Sequence, residues 1–245
     1  MSQSRVVRQR IWESLKAVAR PDTRFHMSFG DFIPDFDGVE AATDRITELG
    51  AFRQSKLAFV TPDNSTTELR RRLIKARVPL VTATYNIQRG FLYLPPDAVP
   101  EGVEGYAAWL DGIEHFAKPI TLEGIAALGR IDFLATGASA VSVDGVRFGK
   151  GHGFFDLEWG MFTDLGLVVD TVTVAAIVHD VQVVEDRLQI SDTDIPVDVI
   201  STPSRLISVA RAGRRPRGVK WDLLTTDQIQ GMPPLRELAR IRGVA

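Results

Sequence analysis

Four short apolar runs, at residues 57–60, 79–84, 131–136 and 171–178, constrain this chain more than any other feature. They carry almost no polar alternation, so each reads as a strand buried on both faces. Between them lie segments in which apolar residues return every three or four positions, the mark of helices that cover a sheet. Alternation of this kind is satisfied by an α/β fold with three layers: a mostly parallel sheet with helices on both faces. The strand at 171–178, dense in valine and threonine, is expected to be fully buried.

The helical segments can be placed from their stripes. Val7, Ile11, Leu15 and Val18 define a helix over 5–19, closed by Pro21. Val39, Ala42, Ile46 and Leu49 define a second, with Gly50 as its C-terminal cap. Ser65 and Glu68 have capping-box spacing. The helix they open puts Leu69, Leu73 and Ile74 inside and Arg70, Arg71 and Arg72 on a solvated face. Residues 91–94 read as an edge strand, 106–117 and 121–128 as helices broken by Pro119, and 138–143 as a strand turning through Asp144-Gly145. A helix over 154–165 ends at Gly166, and a short strand follows at 197–201. Trp221 is expected on a strand, and Pro233-Pro234 open a last helix. No repeat or low-complexity segment divides the chain, and residues 1–245 are read as one domain.

Composition narrows the function. With 29 Lys and Arg against 31 Asp and Glu, the net charge is −2 and the isoelectric point near 6.1. That balance argues against a nucleic-acid footprint, which needs a basic face; the basic run Arg205, Arg211, Arg214, Arg215, Arg217 and Lys220 reads as a solvated loop. Without cysteine there is no disulfide, thiolate metal site or cysteine nucleophile. The longest apolar run, 168–178, is interrupted by Asp170 and threonines, so no membrane span is expected. The first residues lack the apolar core of a secretory signal, and a cytoplasmic location is expected.

The chemistry concentrates in Arg147-Phe-Gly149-Lys150-Gly151-His152-Gly153-Phe154-Phe155-Asp156. Alternating glycines let backbone amides approach an anion, and the start of a helix adds its partial positive charge. Arg147 and Lys150 bring full charges. Asp156 can either cap amides or hold a Mg²⁺ that bridges phosphates. The spacing is neither the dinucleotide fingerprint nor the P-loop, and a glycine turn kept for close packing is the competing explanation. His179-Asp180-Val-Gln182 follows the most buried strand, where α/β sheets place ligands, although turn chemistry alone accounts for it. Ser191 to Asp198 is rich in turn-forming acids, one of which could share a metal with Asp156.

The 147–156 run resembles the R-x-G-x-G-x-G-Y-Y-D signature of the 5-formyltetrahydrofolate cyclo-ligase (methenyltetrahydrofolate synthetase) family. Residues 177–182 are similar to that family's strand ending in Gln, and residues 194–202 to its H-D-x-x-V-D-x-V-x-T segment. The match is firmest over 131–202, and its details resemble the cyclo-ligase-like, synthetase-domain-containing branch, which carries a C-terminal extension as 205–245 does here. The resemblance implies a Rossmann-like fold and an ATP- and Mg²⁺-dependent closure of 5-formyltetrahydrofolate, a reduced folate, to 5,10-methenyltetrahydrofolate. It implies catalytic charges at Arg147 and Lys150 and nucleotide contacts from Arg8, Arg147, Gly149, Lys150, Gly151, His152, Gly153, Phe154 and Phe155. Substrate contacts would come from Glu40, Phe154 and Gln182, and metal ligands from Asp156 and Asp194. Three departures stand out: Ser4 where the family has a Lys, Phe154 where it has the first Tyr, and 137–142 without the family's Pro and Asp. They leave open a diverged protein that binds a nucleotide or another phosphorylated ligand, with a link to thiamine metabolism.

Overall fold

A computed structural model describes residues 3–211 and 213–244. Its main sheet has eight strands. They are β1 (Ala58–Val60), β2 (Leu80–Ala83), β3 (Phe91–Leu94), β4 (Lys118–Ile120), β5 (Phe133–Thr136), β8 (Thr173–Ile177), β10 (Val199–Ser201) and β11 (Leu206–Ser208). The order is β11-β10-β8-β5-β1-β2-β3-β4. The five inner strands from β10 to β2 run parallel, and β11, β3 and β4 are antiparallel additions at the margins. A small second sheet joins β6 (Ala140–Ser142), β7 (Arg147–Phe148) and β9 (Val183–Val184) in the order β7-β6-β9.

The two faces of the main sheet are covered by different helices, as strand alternation requires. Ala58 and Val60 of β1 and Ala175 and Ile177 of β8 face a core built with α2 (Val39–Thr47), α3 (Gly50–Arg53), α4 (Thr67–Lys75), α5 (Glu104–Ala107) and α6 (Leu110–Ile113). Phe59, Val174 and Ala176 face the opposite core, with α7 (Leu122–Leu128), α8 (Phe154–Asp164) and α10 (Pro233–Arg242), while α9 (Thr226–Gly231) packs on α10. In that core Phe162 of α8 meets Phe59 edge-on at 4.9 Å and Phe91 at 5.4 Å, each ring contributing on the order of 1.5–3 kcal/mol by burial. A third cluster packs α1 (Gln3–Leu15), through Val7, Ile11 and Leu15, against the small sheet.

Several sequence expectations need correction. The first helix stops at Leu15, and the chain beyond it pairs Ala19 with Phe36. Gly50 opens α3 instead of capping α2. The Ser65–Glu68 capping box does not form, because Glu68 is taken by Arg71 and Arg72 at 2.6 Å each. Arg70 points inward and is fully buried. Pro119 sits in β4, outside β3, where the lost N–H faces no neighbouring strand. Trp221 lies in a turn of 3₁₀ helix, and β11 and α9 fall in segments that sequence patterning left blank. Arg211 and Arg215 are not solvated: both pair with Asp198, and Arg215 is buried over Trp159.

Candidate functional site

The carboxyl ends of β1, β5 and β2 meet where the strand order reverses, the place where open α/β sheets bind ligands. The loops leaving them, around Asp63, Thr136 and Tyr85, surround a cavity of about 400 Å³, closed by α1 and by the loop between β7 and α8. Asp63 accepts from the Gly137 amide at 3.0 Å and so ties the first two loops together. Every residue expected to meet a nucleotide, from Arg8 to the 147–155 loop, lines this cavity, as do Asp156 and Asp194.

The glycines make room for cations. Gly151 and Gly153 have φ of +112° and +66°, a region that side chains other than glycine's enter at a cost. A Cβ on Gly151 would lie 3.3 Å from the Arg8 guanidinium, and one on Gly149 would lie 3.4 Å from that of Arg147. Gly153 is also the N-cap of the eleven-residue α8, with no side chain capping its amides, so the first turn presents N–H groups and a positive dipole to the loop.

The three cations are only partly matched. Arg147 is buried, donates to Asp156 at 3.2 Å and stacks on Phe155 at 4.4 Å, yet its Nε has no partner. Arg8 donates to Ser4 at 3.2 Å, and burial lowers its pKa. Lys150 donates to the Asp31 carbonyl at 2.9 Å and Asn86 at 3.2 Å, above the rings of Tyr85 and Phe154. Burial lowers its pKa too. The turn that brings Asn86 there holds Asn86 and Ile87 at φ of +53° and +57°, an unusual backbone state for a β-branched residue and one that gathers at functional sites. His152 is exposed beside Phe154.

Carboxyl groups occupy the other part of the wall. Asp156 accepts from Arg147 and from the Ile195 amide at 3.0 Å. Burial raises its pKa, and nearby Asp194 adds to the rise. Asp194 itself accepts from the Ser191 amide at 2.7 Å. The pair is the donor set that Mg²⁺ uses when phosphates supply the remaining ligands; among the described residues, no group of three His, Cys, Asp or Glu gathers to hold a metal alone. Glu158 is 2% exposed, and its Oε2 has no hydrogen-bond partner. Burial, with Asp63 beside it, pushes its pKa well up.

A model of the 5-formyltetrahydrofolate cyclo-ligase family matches residues 1–203. The chain belongs to this family. Among curated relatives it is similar to the methenyltetrahydrofolate synthase domain-containing proteins of Mus musculus, at 30% identity over 235 residues, and Homo sapiens, at 29% over 235. Each alignment covers 95% of this chain but 62% and 60% of those proteins, so the chain spans about three fifths of their length. The solution structure of a 5,10-methenyltetrahydrofolate synthetase from Aquifex aeolicus superposes with a TM-score of 0.51 at 17% identity, covering 86% of this chain and 95% of that one. That likeness shows a shared cyclo-ligase fold.

Two residues that the family resemblance assigned to substrate lie elsewhere. Glu40 is on the exposed side of α2, 3.5 Å from Arg20, and does not line the cavity. Gln182 is fully buried; it accepts from the His179 amide at 2.7 Å and donates to the Ala138 carbonyl at 2.5 Å, which locks the turn after β8. His179 accepts from the Val181 amide in that same turn, and Asp180 accepts from the hydroxyls of Thr202 and Ser204 after β10. The sequence reading also missed Asp63, Asn64, Tyr85, Asn86 and Glu158, all on the cavity wall. Beyond the span matched by the family model, Lys220, Leu223 and Gln228 line a smaller cavity of about 190 Å³ that shares His152, Gly153 and Asp156 with the main one. No helix among the described residues is long and apolar enough to cross a membrane.

Proposed function

We propose that this chain catalyses ATP- and Mg²⁺-dependent cyclisation of 5-formyltetrahydrofolate to 5,10-methenyltetrahydrofolate, releasing ADP and phosphate. One observation carries the reading: Arg8, Arg147 and Lys150 converge with the glycine loop on one cavity, and the buried Arg147 Nε lacks a partner. A buried arginine with an unmet donor, beside two half-buried cations and open helix amides, favours a polyanion. In this reaction the formyl oxygen takes the γ-phosphoryl group, the bridging N10 amine of the folate closes on the formyl carbon and gives up its proton, and the oxygen leaves with the phosphate. Such chemistry asks for positioning and charge neutralisation more than acid–base machinery. The loop amides with Arg8, Arg147 and Lys150 would hold phosphates, while Asp156 and Asp194 would hold the Mg²⁺ that neutralises them. Tyr85 and Phe154 offer ring faces for a flat ligand.

A second reading keeps the phosphate site but takes a different phosphorylated ligand. The segment after residue 203 favours it, since that segment shapes a cavity next to the loop and lies outside the family match. Purified protein mixed with Mg-ATP and 5-formyltetrahydrofolate separates the two. Methenyl absorbance that appears only with ATP supports the cyclo-ligase; ATP binding without product supports the second reading. The cytoplasm is the location we propose.

A further inference from the structure

We infer that Glu158 is a specificity-determining residue, whose carboxyl receives the N–H edge of an amino-substituted nitrogen heterocycle inside the main cavity. The argument begins with an unmet acceptor. Glu158 is among the most buried charged residues described, it lines the cavity, and its Oε2 meets no donor. A buried acceptor without a donor costs roughly 1–3 kcal/mol, so its retention at a cavity wall points to a donor that arrives with the ligand.

The surroundings define that donor. Asp63 and Asp156 are the like charges around Glu158, and Arg147 and Lys150 the opposite ones. The two cations already have claims on them, Arg147 from Asp156 and Lys150 from Asp31 and Asn86. An anionic ligand group belongs with Arg8 and the glycine-loop amides, and not against Glu158 and Asp63. What settles against Glu158 must therefore donate hydrogen bonds. The same cavity wall carries Tyr85 and Phe154, with Lys150 at 4.6 and 5.9 Å from their ring centres. Aromatic faces of this kind accept a flat ring. A flat ring with N–H donors along one edge describes an aminopterin-type or an aminopyrimidine ring, and the structure treats both alike.

The inference rests on the preceding reading only in taking a ring compound as ligand, and the experiment keeps the two apart. Binding of 5-formyltetrahydrofolate, of thiamine as the aminopyrimidine probe, and of Mg-ATP is measured by calorimetry for the wild type, Glu158→Leu and Glu158→Gln. The expected result is a loss of roughly tenfold to a hundredfold in affinity for one ring compound in Glu158→Leu. Glu158→Gln, which keeps an acceptor oxygen, should lose less, and Mg-ATP binding should be held in both. If 5-formyltetrahydrofolate is the compound that responds, both the inference and the cyclo-ligase reading stand. If thiamine alone binds and responds, the inference stands and the cyclo-ligase reading falls. Ring binding that is equal in all three proteins overturns the role of Glu158 and leaves the cyclo-ligase intact. A wild type that binds Mg-ATP but neither ring compound overturns both. Should either variant lose Mg-ATP together with the ring compound, Glu158 would be holding the cavity's shape, and the inference would fail.

Discussion

Two buried arginines beside α8, one over Phe155 and the other over Trp159, show how this molecule separates structure from function. Arg215 gives its Nε to the Pro196 carbonyl at 2.9 Å, Nη1 to the carbonyls of Asp170 and Val172, and Nη2 to Asp198 at 2.5 Å. Every face of that guanidinium is met. Arg147 has one carboxylate at 3.2 Å and an orphaned Nε. Arg70 belongs with Arg215: it is fully buried without a carboxylate contact, yet it donates to the carbonyls of Thr61, Asp63 and Ala108 and to the hydroxyls of Thr66 and Thr67. Burial still draws its pKa down to about 10. A satisfied cation fixes chain segments, while an unsatisfied one is poised for something that comes from outside.

The comparison breaks most visibly on stability. Arg215→Ala leaves Asp198 and several carbonyls unpaired beside Trp159, and should cost about 3–5 kcal/mol, read as a lower denaturation midpoint. Arg147→Ala should act the other way round. The protein stays folded, with Asp156 still held by the Ile195 amide, and turnover falls roughly 10²–10³-fold, the usual effect of removing one transition-state charge contact. If Arg147→Ala unfolds the protein while Arg215→Ala spares it, the distinction drawn from their partners is mistaken.

The same contrast explains what could be read in the sequence. The 147–156 loop was legible because its glycines, cations and acid are contiguous, and the parallel sheet was legible because doubly buried strands leave unbroken apolar runs. Arg70 and Glu158 were missed although their positions hold a signal. Arg70 shares a helical stripe with Leu73 and Ile74, and Glu158 shares one with Phe155, Trp159 and Phe162. A charged residue on an apolar stripe faces inward by geometry, and whether it fixes structure or waits for a ligand depends on partners that only the fold supplies. Arg215 had no such signal, because its loop is aperiodic and Asp198 is distant in sequence. Glu40, named through the family resemblance, falls on the exposed side of α2, because a resemblance in sequence does not fix which side of a helix faces a cavity.

Asp22 extends the comparison to pH. It is buried and accepts from Arg24 and from Asn64 at 2.8 Å, so it holds two cavity-lining residues in place. Burial alone would raise its pKa, but those hydrogen bonds and the Arg24 charge bring it down to about 2. A carboxylate whose folded pKa is depressed stabilises the protein above its unfolded value, and that stability is lost as pH falls through the folded value. Asp22 should therefore contribute about 2 kcal/mol near neutrality, fading between about pH 4 and pH 2. An Asp22→Asn variant should show a flatter acid limb in pH-dependent unfolding; an unchanged limb would remove Asp22 as its source.

Glu158 offers the smallest effect and the sharpest sign. Replacing one member of a fully met network destabilises, whereas replacing a buried polar group that lacks its partner relieves a desolvation cost. Leucine is close to glutamate in size and would stand at that wall without a polar atom to satisfy. Glu158→Leu should thus raise stability by about 1 kcal/mol in the ligand-free protein, measured as a higher midpoint in denaturant with an unchanged slope. The gain should shrink or reverse when the ring ligand is present, because only the wild type then has the contact. A residue that trades stability for binding in this way behaves as part of a site. A loss of stability without ligand would instead group Glu158 with Arg70 and Arg215, as a charge whose partners belong to the fold.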